Sequence, residues 1–543
     1  MVKEKIENLI KKSIKRLQEK REFPKFEIPA FEIEYPKEKR HGDYATNLAL
    51  ILGKKLKRYP IKIGDLIKSQ IPLNTFFERI EVVEPGFINF FLSKGFLRKK
   101  LFEILKKREN FGKLKIGRNK KLQVEFISAN PTGPLHIGNG RGAFFGDTLA
   151  KILERVGYNV EREYYINNGK FNNQIISLGK TAMREGKAYL NDYLKEKIKI
   201  LDSKIKNYER KILNREKLYQ EVGFLVAREI QKDIKFFIEK KLKIKFDNWF
   251  SEEGLYKKSK IKKVFEFLKR RNLVYQKEGA WWVKTSQFGE EKDWVVIKSE
   301  KEGKTPTYLL SDIAYHKDKF ERGFKKIINI WGADHQAHVS KIKAVAKMLN
   351  YRGSLEILIC QLVKLKTGKI SKRKGEIVTL EGLINEVGLD VARFFYLSKS
   401  LNTQMDFDLE LAKTHSEKNP VYYIQYAFAR ISSIIRKANF EELLEKLRPK
   451  DLEVLNEEKE ISLMKKLIIF PEIIERTAKD YQVQRLCQYA LEIAGLFHQF
   501  YQECQVLVDD LKLKRARLAL VLATKVVLKN IFDLLGISAP ERM

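Results

Sequence analysis

The sequence predicts an α/β protein: a doubly wound parallel sheet, preceded by an α+β region and followed by an all-α one. Three observations carry this. "KLQVEFIS" at 121–128 is apolar, partly β-branched and bounded by turn residues, the pattern of a buried parallel strand. "DTLAKILERVGY" after it places Leu149, Ile152, Leu153 and Val156 at helical spacing. Further strand-like runs, "KIINIWGAD" and "LEILICQLV", alternate with helical patterns, as the crossovers of a parallel sheet require.

The elements follow in order. Residues 1–112 open on an amphipathic helix, with Ile6, Leu9, Ile10, Ile14 and Leu17 on one face. They end in "VEPGFINFFL", a turn and a strand, which makes the region α+β. "GRNKK" at 117–121 reads as a linker, and the sheet region occupies 113–415. Within it, 186–245 is highly charged and helical in period, and reads as an insertion. From 416 to 543 the pattern is helical throughout. In "NPVYYIQYAFARISSIIRKA", Val421, Ile424, Phe428, Ile431 and Ile435 mark the buried face.

Composition narrows the function classes. A chain of 543 residues is too long for one core, so several domains are expected. Lys and Arg outnumber Asp and Glu by 107 to 70, a formal charge of +37. The two signs are interspersed, as on a folded surface, and the excess favours a polyanionic partner, nucleic acid before membrane. No apolar run approaches a membrane span, and Glu4, Glu7 and Glu19 fit neither a signal nor a transit peptide. A cytoplasmic location is expected. Cys360, Cys487 and Cys504 are too scattered for a disulfide framework or a zinc site.

The chemistry concentrates in "NPTGPLHIGNGRGAFFGD", 130–147, a strand-to-helix turn at the carboxyl edge of the sheet. Glycines let a ligand approach the backbone, and a helix N-terminus presents free N–H groups to phosphate. The spacing is neither a dinucleotide fingerprint nor a P-loop. Taken alone, His136 is more often structural than functional. "TGKISKRKG", 367–375, sets Lys369, Lys372, Arg373 and Lys374 between two glycines. Such a run is usually a solvated loop, but it also suits a triphosphate whose charge builds up as pyrophosphate leaves. "WGADHQAH", 331–338, ends a strand in polar groups; Asp334, His335 and His338 are poorly spaced for zinc. Tyr308, Asp312 and His316 fall at i, i+4 and i+8 and share a helical face. A guanidinium, planar and always charged, is best met by such a carboxylate, although Asp312 read alone is equally a surface acid.

His136-Ile137-Gly138-Asn139 and Lys369-Ile370-Ser371-Lys372-Arg373 resemble the two signatures of class I aminoacyl-tRNA synthetases. The wider context, "EFISANPTGPLHIGNGRGAFFGD", "KTPTYLLSDIAYH", "WGADHQAH", "NPVYYIQYAFARI" and the closing "SAPERM", is similar to the arginyl-tRNA synthetase family from residue 41 to the end. Two departures stand out. Asn139 replaces the usual second histidine, and Ile370 replaces the usual methionine.

The resemblance implies a Rossmann-like catalytic domain, a helical anticodon-binding domain and an N-terminal domain that touches the tRNA elbow. It implies ATP-dependent activation of arginine and transfer to tRNA(Arg), with magnesium assisting, no zinc, and a monomer. His136, Asn139, Lys369 and Lys372 are implied as catalytic. Pro134, Gly138, Gly332, Asp334, His335 and Ser371 are implied to hold ATP. Glu125, Ser128, Asn130, Tyr308, Asp312 and Gln336 are implied to hold arginine. Tyr422, Tyr423 and Tyr426 are placed to stack bases, with core packing the alternative for at least one. The family also implies activation only with tRNA bound. A cysteinyl enzyme would need a zinc-binding cysteine set that three scattered cysteines cannot supply. A non-enzymatic RNA-binding paralogue should have lost the paired ATP motifs.

Overall fold

The structure is a computed structural model that describes residues 1–73, 76–303, 305–367, 378–438 and 447–543. Its centre is a five-stranded parallel sheet. In spatial order the strands are Ser354–Cys360, Lys326–Gly332, Lys121–Glu125, Asn159–Ile166 and Asn248–Ser251. The chain leaves the central strand Lys121–Glu125 toward one side for two strands, then returns to its other side for the next two. That reversal opens a crevice at the carboxyl ends of Lys121–Glu125 and Lys326–Gly332, where such sheets bind ligands.

The central strand is followed by a long helix, Ile137–Arg155. The helix starts ten residues before Asp147, so Gly138, Gly140 and Gly142 lie in its first two turns and not in the preceding turn. Glycine inside a helix costs about 1 kcal/mol relative to alanine, and packing explains why it stands at 140. A Cβ there would fall 2.7 Å from Leu380 Cδ1 and 3.1 Å from the Tyr396 ring. The helix is held to the layers around it by a buried pair between Asp147 and Arg393, and by the Tyr396 hydroxyl, which donates to Ile137 O (2.7 Å).

The charged stretch at 186–245 forms Asp192–Lys211 and Arg215–Phe236, which lie on the crossover between two adjacent strands of the sheet. Arg215–Phe236 packs on Asn173–Ala182 so closely that a Cβ at Gly179 or Gly223 would meet the facing backbone at about 2 Å. A second excursion, invisible in the periodicity, places Lys260–Arg270 against a small antiparallel sheet of Val274–Lys277, Ala280–Val283 and Trp294–Ile297. It has its own apolar core around Val264, Leu268, Val283 and Val296, which continues to the helix Tyr308–Glu321.

The N-terminal helix, Val2–Glu19, buries Ile6, Ile10, Ile14 and Leu17, as its period predicts, over an antiparallel sheet of Tyr44–Thr46, Phe87–Leu92 and Phe77–Val83. This region docks on the C-terminal helices. Lys3 N–H donates to Glu472 (2.8 Å), the Tyr44 hydroxyl donates to the same carboxylate (3.2 Å), and Lys465 pairs with Asp43 (2.7 Å). The C-terminal region is all helix: Pro420–Lys437, Glu458–Ile468, Phe470–Asp480, Gln484–Glu503 and Leu511–Leu535. Val421, Ile424, Phe428 and Ile431 are buried there, with Ile435 half-buried. The three cysteines are free and buried. Among the described residues no helix is long and apolar enough to cross a membrane.

Candidate active site at the carboxyl edge of the sheet

The central strand does not run smoothly into the crevice. Ile127 and Ser128 take φ of 67° and 40°. A β-branched residue in the left-handed region costs of order 1–3 kcal/mol and persists only where its surroundings enforce it. Here the bend swings Ser128 back over the strand end. Its hydroxyl donates to Glu125 Oε1 (3.0 Å) and accepts from Tyr165 N–H (3.1 Å), and its carbonyl accepts from Asn167 Nδ2 (3.1 Å). Asn130 and Pro134 beyond it are exposed at the mouth of the crevice.

Glu125 lies deep at the strand end. It is 4% exposed and pairs with Lys319 Nζ (2.5 Å), which is fully buried and also donates to Asn329 Oδ1 (2.9 Å). The Tyr315 hydroxyl lies 3.1 Å from Glu125 and 2.6 Å from Glu163, and Arg322 closes the far side of Glu163 (2.6 Å). Charges this buried persist only when paired and fully hydrogen-bonded. Glu125 therefore fixes Ser128 from beneath.

His136 is the N-cap of the helix Ile137–Arg155. Its Nδ1 accepts from Gly138 N–H (3.1 Å), and its own N–H donates to Asn139 Oδ1 (2.9 Å). Burial lowers the proton affinity of the imidazole, against the opposing pull of Asp334. Lys369, Ser371 and Lys372 lie outside the described residues. The residues that follow them are anchored beside His136, however. Ile137 N–H donates to Val378 O (3.1 Å), Leu380 N–H to Leu135 O (2.8 Å), and His136 bridges Thr379. The residues that follow the second motif thus meet the first motif at one helix N-terminus.

Gly332, Asp334, His335 and Gln336 stand at the end of the neighbouring strand, on a 3₁₀ turn from Ala333 to His338, and are exposed. Asp312 and His338 meet at 2.6 Å. His316, on the face shared with Asp312, is 1% exposed and structural: its Nδ1 donates to Asp312 O (2.8 Å), and its Nε2 accepts from Asn329 Nδ2 (3.0 Å). Burial and Lys319 push it down to about 4, so it stays neutral. Tyr308 is 52% exposed, and its hydroxyl donates to Asn172 Oδ1 (3.1 Å).

One residue at this pocket escaped the sequence reading. Glu252, directly after the edge strand Asn248–Ser251, is 3% exposed and, among the described residues, has no cationic partner. It accepts from Gly169 N–H (3.0 Å). Burial, aided by the negative charge of Asp312, raises its carboxyl to about 7. Tyr165 and Tyr308 both feel its charge. "FSEEGLY" offers no motif; only the fold brings it to the crevice. A desolvated, unpaired carboxylate beside a second one is a site prepared for a cation.

Comparison with known proteins fits this geometry. The arginyl-tRNA synthetase N-terminal domain matches residues 4–92, the class I (R) synthetase catalytic domain 100–400, and the DALR anticodon-binding domain 424–543. An arginine–tRNA ligase of Caldanaerobacter subterraneus is 42% identical across 100% of this chain and 99% of its own length. The chain belongs to the arginyl-tRNA synthetase family. A second relative in the family, an arginine–tRNA ligase of Carboxydothermus hydrogenoformans, is 43% identical over 95% of this chain and 94% of its own. The arginyl-tRNA synthetase of Thermus thermophilus, at 22% identity, shares the fold over 100% of both chains with a TM-score of 0.79. The doubly wound sheet and helical C-terminal region expected from sequence are those of the family.

Proposed function

We propose that this chain is an arginine–tRNA ligase that forms arginyl-adenylate from arginine and ATP, then transfers the arginyl group to the 3′ end of tRNA(Arg). One observation carries the reading. A histidine-capped helix N-terminus and a pocket with two carboxylates, Asp312 and Glu252, occupy the same carboxyl edge of one sheet. The first suits phosphate and the second suits a guanidinium, so a single crevice can align the two substrates.

In this reading the arginine side chain lies between Asp312 and Glu252, with Tyr308 against its plane and Gln336 closing the pocket. Ser128 and Asn130 hold its amino and carboxylate end, with Glu125 acting through Ser128. ATP lies along Pro134, Gly138, Gly332, Asp334, His335 and Ser371. The arginine carboxylate attacks the α-phosphorus and pyrophosphate leaves. A ribose hydroxyl of the terminal adenosine then attacks the adenylate carbonyl and AMP leaves. His136, Lys369 and Lys372 stabilise charge on the phosphates, and no side chain forms a covalent intermediate, since alignment and electrostatics suffice. Among the described residues no three His, Cys, Asp or Glu side chains converge as a metal cage. Magnesium, which the family resemblance implies, would supply charge shielding to the triphosphate when bound.

The three units, 1–112, 113–415 and 416–543, serve the tRNA elbow, the chemistry and the anticodon. Tyr422 and Tyr426 lie parallel, ring centroids 6.2 Å apart and 9° between planes, with Arg430 beside Tyr426, a surface suited to unstacked bases. The protein works as a cytoplasmic monomer. ATP–pyrophosphate exchange with each amino acid, with and without tRNA, tests the reading. Exchange restricted to arginine supports it; exchange with another amino acid, or none in any combination, refutes it.

A further inference from the structure

The capped helix assigns a task to Asn139, where the family signature usually has a second histidine. We propose that Asn139 is a positioning residue: it holds His136 as a neutral donor through Nε2, and does not itself grip the triphosphate. The inference rests on the adenylation reading above.

Two reciprocal bonds make the device. Asn139 Oδ1 accepts the His136 backbone N–H at 2.9 Å, and the imidazole Nδ1 accepts the Gly138 N–H at 3.1 Å. This is the logic of a capping box, with asparagine in the place usually held by Glu or Gln. Its consequence is chemical. An Nδ1 that accepts has a free lone pair, so the ring's one proton sits on Nε2. Protonating the ring would put a donor on Nδ1, facing the Gly138 N–H, and would break the cap. The ring thus meets a phosphate oxygen as a fixed hydrogen-bond donor.

The surroundings agree. Among the described residues the charged group acting on the ring is Asp334, and burial outweighs it. A Cβ at position 138 would fall 2.8 Å from His136 Cε1, so the ring needs the glycine beside it. The Tyr396 hydroxyl holds Ile137 O from the other side (2.7 Å). An amide, unlike the usual histidine, does not titrate, so the lock is constant across the working pH range.

The test uses ¹⁵N-histidine-labelled full-length enzyme, with the His136 signal assigned by its loss in His136→Gln. The native protein should show the Nε2–H tautomer and titrate below 6.5. In Asn139→Ala the tautomers should mix and the titration should move back toward 6.5. The single-turnover rate of adenylate formation should fall roughly tenfold, the scale of a lost cap, while the KM for ATP changes less than twofold. Asn139→Gln, which can reach the same N–H, should restore both readouts. A raised KM for ATP with an unmoved His136 signal would overturn the inference, as would an Asn139→Ala enzyme unchanged in every respect. A native enzyme that makes no adenylate from arginine would sink the functional reading instead, leaving the tautomer assignment to stand or fall on its spectrum.

Discussion

Glu252 offers a direct measurement of what the pocket is built to bind. Its carboxyl moves from an ordinary 4.5 to about 7, chiefly because burial penalises the charged form. The group is 3% exposed, so solvent screens little of this. A displacement from 4.5 to about 7 corresponds to roughly 3 kcal/mol held against the ionised form. The sign for stability follows by linkage. The folded state binds this proton more tightly than the unfolded chain, so its contribution is fully present below pH 4.5 and is lost as pH rises through about 7. Glu252→Gln should therefore make the ligand-free enzyme more heat-stable at pH 8. It should bind arginine worse, because the guanidinium loses one of its two carboxylates.

Arginine reverses the balance, since a cation placed against Glu252 favours the ionised form and expels the proton. With a carboxyl titrating near 7, about one-eleventh of the enzyme is ready for arginine at pH 6 and about ten-elevenths at pH 8. Arginine affinity should thus fall about tenfold between pH 8 and pH 6. Calorimetric titration of arginine into the tRNA-loaded enzyme, in two buffers of different ionisation heat, should show nearly one proton released at pH 6 and almost none at pH 8. Glu252→Gln should flatten the difference, while any contribution from the ligand's own amino group is common to both proteins. Affinity independent of pH, with equal heats in the two buffers, would refute the pairing of Glu252 with the guanidinium.

Three further outcomes are expected. Lys372→Ala should slow adenylate formation by about a hundredfold or more while leaving arginine affinity intact, because a preorganised charge is lost only where charge develops; single-turnover kinetics decide it. Asp312→Asn should lower kcat/KM for arginine by about 2–5 kcal/mol, but should spare citrulline, whose neutral side chain does not need the carboxylate; equal losses for both would make Asp312 structural. Enzyme free of tRNA should show little pyrophosphate exchange with arginine, and strong exchange without tRNA would remove the coupling.

What the sequence disclosed, and what it hid, follows from the range of each signal. Strand and helix periods are local, so the sheet, the N-terminal helix and the C-terminal bundle were legible. The helix start at Ile137 was not, because three glycines within its first two turns look like loop; their reason, close approach to Leu380 and Tyr396, is tertiary. The small antiparallel sheet around Trp281 was missed because four-residue strands are too short for a period to register. Motifs located His136 and Asp312. Glu252 carries no motif, and its significance lies in burial without a cationic partner among the described residues, which only the fold can create. Glu125 shows the reverse. It was legible as a strand-end acid, yet its buried pairing with Lys319, 194 residues away, could not be read from spacing.

The signature helix also shows how events far from the crevice reach it. Over 19 residues, about 28 Å at 1.5 Å per residue, Ile137–Arg155 touches every unit of the protein. Its first turn meets His136 and the residues Val378 and Leu380. Its second turn presents Arg141, 1% exposed, which donates to the carbonyl of Ser400, and the Ser400 hydroxyl reaches Gln482 in the helical domain (3.4 Å). Its last turn sends Arg155 to Phe111 O (2.6 Å) at the end of the N-terminal region, and Asn530 of the longest C-terminal helix donates to nearby Arg108 O (3.1 Å). A rigid helix so fixed cannot shift at one end without moving the other, because packed interiors transmit displacement and do not absorb it. Among the described residues the Arg141 Nε and Nη1 are buried without hydrogen-bond partners. A tRNA that bridges the N-terminal and helical regions would load both far contacts of this helix at once. If exchange proves to need tRNA, Arg141→Lys and Gln482→Ala should weaken that dependence more than they weaken binding of either substrate; equal effects on coupling and binding would exclude this helix as the link.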